Sequence, residues 1–220
     1  MGDVWAQVAA ERVGLADELD GLAPAEWEVP SRCAGWRVRD VAGHLVHLAE
    51  GSYARFPVEM VRHGRGLFPN RTLDGMARVT ARAEPGDLAA RLRAAADGRF
   101  RAPGAPPGAA LAEVIVHGED IRRPLGRPAP DRRPEDLVPL LDVYRRVGRY
   151  FTRSGTRGLR LVATDADWDV GSGPVVRGPA LSLLLAMAGR PPAAGELEGP
   201  GVEVLRDRAR SAPGTPAPGA

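Results

Sequence analysis

The chain has 220 residues, 44% of them hydrophobic and 26% charged, with a formal net charge of +2. This composition is that of a soluble globular protein, long enough for one large domain or two small ones. The single cysteine, Cys33, excludes an internal disulfide bond and any cysteine-rich zinc module.

Nucleic acid and membranes are both disfavoured as partners. The densest run of arginines, residues 122–133, is interrupted by acidic residues, which predicts a solvated loop and not a concentrated basic face. The N-terminal segment carries acids early and therefore predicts a helix, not the apolar core of a secretory signal. The longest apolar run, residues 180–189, is shorter than the roughly 20 residues that span a bilayer. We expect a cytoplasmic protein.

Helical periodicity dominates the N-terminal part of the chain. An apolar stripe predicts a first helix from about Val4 to Leu22, with a polar break at Glu11 and Arg12. A second helix begins near Val38. The next predicted helices are residues 72–98, split by Pro85–Gly86 with Asp87 capping the second piece, then 109–121 and 133–151.

The pattern changes after Ser154. Residues 159–165 predict a short strand. Residues 167–178 predict two more strands, joined by a glycine hairpin turn at Gly171–Gly173. A short apolar helix over residues 179–189 and a final strand over residues 201–205 complete the series.

The elements together predict a mainly α fold. An antiparallel helical bundle over residues 1–153 is followed by a small α+β domain over residues 154–210. The last residues, 211–220, are rich in proline, glycine and alanine, which predicts a disordered tail.

Acidic and imidazole side chains at helical spacing indicate a metal centre. Glu113 lies four residues before His117, so both side chains share one helix face, and Asp120 lies on that face one turn later. Helical bundles build metal sites from such pairs on facing helices, and His44 would be the third ligand. Two histidines and one glutamate with an open fourth position are a known catalytic zinc pattern.

Two questions remain open at this point. The helix that carries Glu113 and His117 is apolar on nearly all sides, so a hydrogen-bonded pair would satisfy the two buried groups as well as a metal would. His47 competes with His44, but His44 lies nearer the margin of the apolar stripe and is preferred. Asp40, one turn before His44, is a candidate acceptor for the other ring nitrogen of His44.

The remaining reactive or aromatic residues have simpler interpretations. Cys33 could be a nucleophile, but no neighbouring pattern supports it, and we interpret it as a small half-buried residue. Trp36 is interpreted as a packing residue at the entrance to the second helix. His63 is interpreted as a loop histidine.

Three ordered blocks give the chain a family resemblance from about Val4 to Leu205. These are "GWRVRDVAGHL", "EVIVHGEDIRRPLG" and "LVATDADWDVGSGPVVRGPALSLLLAMAGRP". They resemble the mycothiol-dependent maleylpyruvate isomerase family, within the DinB-like metal-binding superfamily. The resemblance implies an N-terminal four-helix bundle and a divalent metal, usually zinc. It also implies that His44, Glu113 and His117 are the ligands.

The resemblance further implies an enzyme that uses mycothiol, a low-molecular-weight thiol. A cation would hold the thiol as a thiolate, which adds to a small electrophilic or carboxylate-bearing substrate in an isomerase or an S-transferase. Arg177 and Arg190 are candidates for binding the substrate carboxylate. The alternative is a non-catalytic metal-binding module that binds a ligand or a partner protein. A monomer or a homodimer is expected.

Overall fold

The computed structural model describes residues 3–58, 69–151, 155–190, 193 and 195–211. Most of these residues are helical, with one small sheet, so the predicted fold class is confirmed. Contacts divide the chain into two compact units, Met1–Ala129 and Pro130–Ala220. The contacts group the helix that precedes residue 153 with the second unit. The predicted domain boundary after residue 153 stays a prediction.

The first unit is a bundle of helices. They are α1 (Val4–Asp20), α2 (Val38–Ala49), α3 (Pro69–Thr80), α4 (Pro85–Ala94) and α5 (Pro107–Arg122). A 3-10 turn, Glu26–Glu28, lies between α1 and α2. α1 packs against α4 and α5, and α2 packs against α3, α4 and α5. The apolar stripe predicted for α1 is buried, with Val8, Leu15 and Leu19 in the core.

Arg12, the polar break in the stripe of α1, points into the core. The side chain is buried, and its Nη1 atom donates to the carbonyl oxygens of Ala96 at 2.9 Å and Gly98 at 2.7 Å. Burial lowers the pKa of Arg12 to about 10. Both carbonyls belong to the segment that directly follows α4, so Arg12 ties α1 to that segment.

Gly43 lets α2 and α3 pack backbone to backbone. A Cβ atom at this position would lie 2.6 Å from the carbonyl oxygen of Ala77 and 2.7 Å from the amide nitrogen of Ala81. Any side chain here would push the two helices apart. Gly43 therefore sets the depth at which α2, and with it the next residue His44, lies in the bundle.

The second unit combines helices with a three-stranded sheet. Its elements are α6 (Pro134–Phe151), β1 (Arg160–Ala163), β2 (Asp169–Gly171), β3 (Val175–Gly178), α7 (Ala180–Met187) and α8 (Gly201–Ser211). The strands run in the order β2-β1-β3, and β1 pairs antiparallel to β2 and parallel to β3. Leu161 on β1 lies opposite Val170 on β2 and Val176 on β3. α6 packs against α7.

The predicted hairpin at Gly171–Gly173 is wrong. β2 and β3 lie on opposite sides of β1, so the glycine segment crosses the beginning of β1 and does not join paired strands. The φ angles of Gly171 and Gly173 are +87° and +113°, a region that favours glycine. Alternation predicted the strands, but it carries no information about which strand pairs with which.

The predicted final strand over residues 201–205 is also wrong, because these residues begin α8. Val202 and Leu205 are buried, at the three-residue spacing of one helix face. The apolar alternation in "VEVL" is too short to distinguish the two structures, and the arginine-rich residues that follow favour a helix.

Two sequence interpretations concern residues outside the described part of the chain. They are the loop histidine His63 and the disordered tail, of which the structure describes Ser211 alone. Within the described part of the chain, no helix combines the length and the apolar character needed to cross a membrane.

Candidate metal centre

α2 carries His44 into the bundle, and its first turn is fixed by Arg37 and Asp40. The backbone amide of Arg37 donates to Asp40 Oδ2 at 2.9 Å, and the side-chain Nε atom of Arg37 donates to the same oxygen at 3.0 Å. The Asp40 carboxylate caps the helix and does not hold His44 as predicted. The buried Nδ1 atom of His44 has no hydrogen-bond partner among the described residues.

α5 carries Glu113, His117 and Asp120, and a partly buried ion pair anchors it to α1. The guanidinium of Arg122 is bidentate to Glu18, with nitrogen–oxygen distances of 2.7 and 2.9 Å. Arg122 is 1% exposed, so the solvated loop predicted for residues 122–133 is wrong at its first residue. The sequence interpretation followed the charge pattern and missed that α5 continues through Arg122.

His44, Glu113 and His117 come together from these two helices. The Nε2 atom of His44 lies 3.6 Å from Glu113 Oε2, and the Nε2 atom of His117 lies 3.3 Å from the same oxygen. The two imidazole centroids are 4.8 Å apart. One donor atom from each side chain lies within 4.8 Å of the other two, so a single ion could contact all three.

These separations are compatible with a shared cation. Nitrogen and oxygen ligands lie about 2.0 to 2.2 Å from a tetrahedral zinc, which puts neighbouring donor atoms about 3.3 Å apart. The 3.3 and 3.6 Å distances match that spacing. They are longer than the about 2.7 to 3.2 Å of an N–H···O hydrogen bond. The geometry therefore allows a metal, and the hydrogen-bonded pair that the sequence left open stays an alternative.

Asp120 orients the His117 ring. Its Oδ2 atom lies 2.9 Å from His117 Nδ1, and its side chain is fully buried. A carboxylate at this nitrogen favours a proton on Nδ1, and Nε2 is the ring atom that faces Glu113. Carboxylate–histidine pairs of this kind orient the ligands of metal sites.

Burial and neighbouring charges shift the three pKa values in different directions. Burial lowers the pKa of His44, and the nearby Glu113 only partly offsets it. Burial also lowers the pKa of His117, but Asp120 and Glu113 outweigh it and raise that pKa above its ordinary value. Withdrawal from bulk water raises the pKa of Glu113, but His117 and His44 together hold it well below its ordinary value. An ionised Glu113 and a neutral His44 are the forms that bind metals.

Two residues that the sequence left aside lie at this centre. The ring of Trp36 lies 5.2 Å from that of His44 and 6.3 Å from that of His117, measured between centroids. Cys33 forms a second group of potential ligands with His117 and Asp120. Both residues belong to the segment before α2, and their approach to α5 is a long-range contact that periodicity does not reveal.

The structure describes the surroundings of the other predicted site residues, each within its own unit. His47 is half-buried and belongs to neither group of potential ligands among the described residues. Arg177 is exposed on β3, in the second unit. Arg190 follows α7, where its Nη1 atom donates to the carbonyl oxygen of Ala188 at 2.7 Å. Their predicted role in carboxylate binding stays a prediction.

Comparisons with known proteins agree with the fold. A family model described as "Mycothiol maleylpyruvate isomerase N-terminal domain" matches residues 8–138. The crystal structure of the mycothiol-dependent maleylpyruvate isomerase is similar with a TM-score of 0.58 and 16% identity, covering 90% of this chain and 92% of the other. A histidine-to-alanine mutant of that isomerase gives a TM-score of 0.55 at the same identity and coverage. No protein of curated function matches significantly.

Proposed function

Because the chain belongs to the mycothiol maleylpyruvate isomerase N-terminal domain family, we propose that it is a metal-dependent enzyme that uses mycothiol as a thiol co-substrate. The observation that carries the proposal is the cluster of His44, Glu113 and His117 around one point. Zinc is the metal that two imidazoles and one carboxylate favour at a three-ligand site.

The residues of the chain supply three donors and an orienting group. His44, Glu113 and His117 would hold the cation, and Asp120 would keep the proton of His117 on Nδ1. Three protein ligands leave a fourth position for a small molecule. The Glu113 side chain is 36% exposed, which gives that position access to solvent. When bound, the cation would lower the pKa of a thiol and keep it as a thiolate near neutral pH.

A thiolate at this centre supports two related reactions. The sulfur can form a bond to one carbon of a carbon–carbon double bond that a carbonyl group activates. Rotation about the resulting single bond, followed by loss of the thiolate, gives the geometric isomer of the substrate, and the enzyme is then an isomerase. If the adduct instead takes up a proton and persists, the enzyme is an S-transferase. Arg177 and Arg190 are proposed to bind the carboxylate of the substrate through bidentate contacts.

Three further expectations accompany this proposal. A cytoplasmic location would give access to a low-molecular-weight thiol. The assembly would be a monomer or a homodimer. Nucleic acid would not be a partner, because the net charge of +2 is small and the arginines alternate with acids.

Metal analysis of the purified protein, followed by thiol binding, tests the proposal. We expect about one zinc per chain, loss of the metal in His44→Ala, and a rise in melting temperature when mycothiol is added. His47→Ala is the matched control, because this histidine lies one turn later and outside the cluster. Protein without stoichiometric metal would overturn the proposal. Metal that binds without any response to mycothiol would instead support the non-catalytic metal-binding module.

A further inference from the structure

A cavity in the second unit lies where α6, the loop before β1, the strands β1 and β2, and the last residue of α7 meet. Its volume is about 520 Å³, within the range of small-molecule sites. We refer to it as the sheet pocket. Its apolar lining includes Leu159, Leu161, Val170 and Met187, and its cationic lining is Arg145 and Arg157.

The apolar part of the sheet pocket is largely withdrawn from water. Leu159, Leu161 and Met187 are buried, and Val170 is half-buried. Leu161 on β1 lies opposite Val170 on β2, so two neighbouring strands contribute adjacent apolar side chains. A ligand with an apolar body would remove the remaining apolar surface from water, which favours binding.

Contacts within the second unit hold the walls of the sheet pocket in place. The Nη1 atom of Arg208 on α8 donates to the carbonyl oxygen of Gly155 and, at 2.7 Å, to that of Arg157. At the end of β2, a Cβ atom on Gly171 would overlap the carbonyl oxygen of Leu159, so the two backbones are in direct contact. The pocket is therefore formed before a ligand arrives, and binding does not have to order these segments.

Arg157 supplies a positive charge that the described residues leave unbalanced. Its side chain is exposed and lines the sheet pocket, and its guanidinium has no acidic or hydrogen-bond partner among the residues that the structure describes. Residues 147–154, which include the end of α6 and lead to this loop, contain no aspartate or glutamate. This connecting segment therefore brings no carboxylate to Arg157.

The second arginine, Arg145, is loosely balanced by one acid. Its Nε atom lies 3.5 Å from Oδ1 of Asp142, which is longer than a hydrogen bond, and both side chains are at least 40% exposed. Arg160 and Asp169, on the two strands of the pocket, neutralise each other through a bidentate pair. Arg145, Arg157 and Asp142 together leave a formal excess of one positive charge at the sheet pocket.

We propose that the sheet pocket binds a small monocarboxylate with an apolar body, which lies against Leu161 and Met187 while Arg157 holds the carboxylate. A guanidinium presents paired N–H donors that match the two oxygens of a carboxylate. The single unbalanced charge fits one carboxylate, and the apolar lining fits the remainder of the ligand. Every residue of the described lining belongs to the second unit, so the site does not rest on the proposed metal- and thiol-dependent function.

Binding of phenylacetate, which joins a benzene ring to a single carboxylate, tests the sheet pocket. The full chain is titrated by calorimetry with zinc and after chelation, because a carboxylate is also a metal ligand. We expect one site of equal affinity in both forms. Acetate lacks the ring and phenylacetamide lacks the charge, so each should bind at least about tenfold more weakly.

Substitution of Arg157 locates the bound carboxylate. Arg157→Gln should raise the Kd for phenylacetate about tenfold or more, because it removes a charge-assisted pair of hydrogen bonds. The fold should be unaffected, since this side chain is exposed. Arg146→Gln is the matched control, because Arg146 is exposed on α6 beside Arg145 and lies outside the pocket lining. Its loss should leave the Kd unchanged.

The proposal is overturned by no binding of phenylacetate, by equal affinity in Arg157→Gln and wild type, by an equal loss in Arg146→Gln, or by equal affinity for either analogue. Binding that is lost on chelation would also overturn it, because the carboxylate would then be at the metal. Phenylacetate binding that depends on Arg157, in a protein without metal or response to mycothiol, would support the sheet pocket and reject the proposed function. Metal and thiol binding without phenylacetate binding would do the opposite.

Discussion

The Nδ1 atom of His117 lies 2.9 Å from Oδ2 of Asp120, one turn further along the same helix. A carboxylate at Nδ1 orients the ring and favours a proton on that nitrogen, which is the tautomer that metal binding through Nε2 would need. Asp120→Asn keeps the shape of the side chain and removes its charge. We expect zinc affinity to fall about 10- to 100-fold, measured by competition with a chromophoric chelator. Unchanged affinity in a folded Asp120→Asn protein would show that Asp120 does not orient His117 for the metal.

His117 belongs to two groups of potential ligands, and a substitution of Cys33 distinguishes between them because Cys33 belongs to one group and not to the other. If the metal is held by His44 and Glu113 with His117, Cys33→Ser should leave zinc stoichiometry and affinity unchanged, whereas Glu113→Gln should abolish stoichiometric binding. Cobalt substitution provides a second measurement, because a thiolate ligand gives an intense charge-transfer band in the near ultraviolet. Loss of zinc in Cys33→Ser would assign the site to the other group.

Close packing at Gly43 makes a stability prediction with an internal control. Gly43→Ala places a Cβ atom 2.6 Å from the carbonyl oxygen of Ala77, so the free energy of unfolding should fall by about 1 to 3 kcal/mol. Gly14→Ala, in α1, meets no atom within 4 Å and should raise it by about 0.5 to 1 kcal/mol. Urea denaturation measures both. Equal effects in the two variants would contradict backbone contact between α2 and α3.

Removal of Arg12 should destabilise the bundle through the carbonyls it satisfies. In Arg12→Ala the oxygens of Ala96 and Gly98 lose their donor inside the protein, and the free energy of unfolding should fall by about 2 to 4 kcal/mol. Arg93→Ala is the control, because Arg93 forms only exposed ion pairs with Asp17 and Asp20 and should have little effect. Similar stability of the two variants would mean that Arg12 does not hold α1 to the segment that follows α4.

Chelation should lower the melting temperature of wild type but not of His44→Ala. A ligand that binds only the folded chain stabilises it by an amount that grows with the ratio of its concentration to its Kd, about 4 kcal/mol at a thousandfold excess. Differential scanning calorimetry with and without a chelator measures the difference. An identical loss in His44→Ala would place the stabilising ion away from this cluster.

Local sequence patterns predicted most of the helices because apolar periodicity and proline or glycine boundaries are visible in the sequence. The stripe of α1 and the proline breaks before α4 and after α5 are visible in the sequence alone. The prediction that Glu113 and His117 share one helix face also required no tertiary information, because it follows from their four-residue spacing. Local sequence patterns gave wrong predictions where the secondary structure or the strand pairing depends on contacts between residues far apart in the sequence. The short "VEVL" alternation concealed the start of α8, and the order of β2 and β3 around β1 has no local signature.

The same distinction applies to the candidate site. His44 could be selected over His47 from its position on the apolar stripe, because the angle around a helix follows from spacing. The positions of Trp36 and Cys33 beside α5 could not be predicted, since an irregular segment has no period. Asp40 was assigned to the wrong partner because Arg37 competes for the same carboxylate at the start of α2.

The placement of the donors on two helices has a consequence for folding. His44 is separated from Glu113 by about 70 residues of chain. A cation held by both helices would close that loop as a removable cross-link, in a protein whose one cysteine rules out an internal disulfide. In the unfolded chain only the pair on α5 remains close in sequence, so most of the affinity for the ion would come into existence with the fold. Metal supply would then set how much of the chain is folded as well as how much is active.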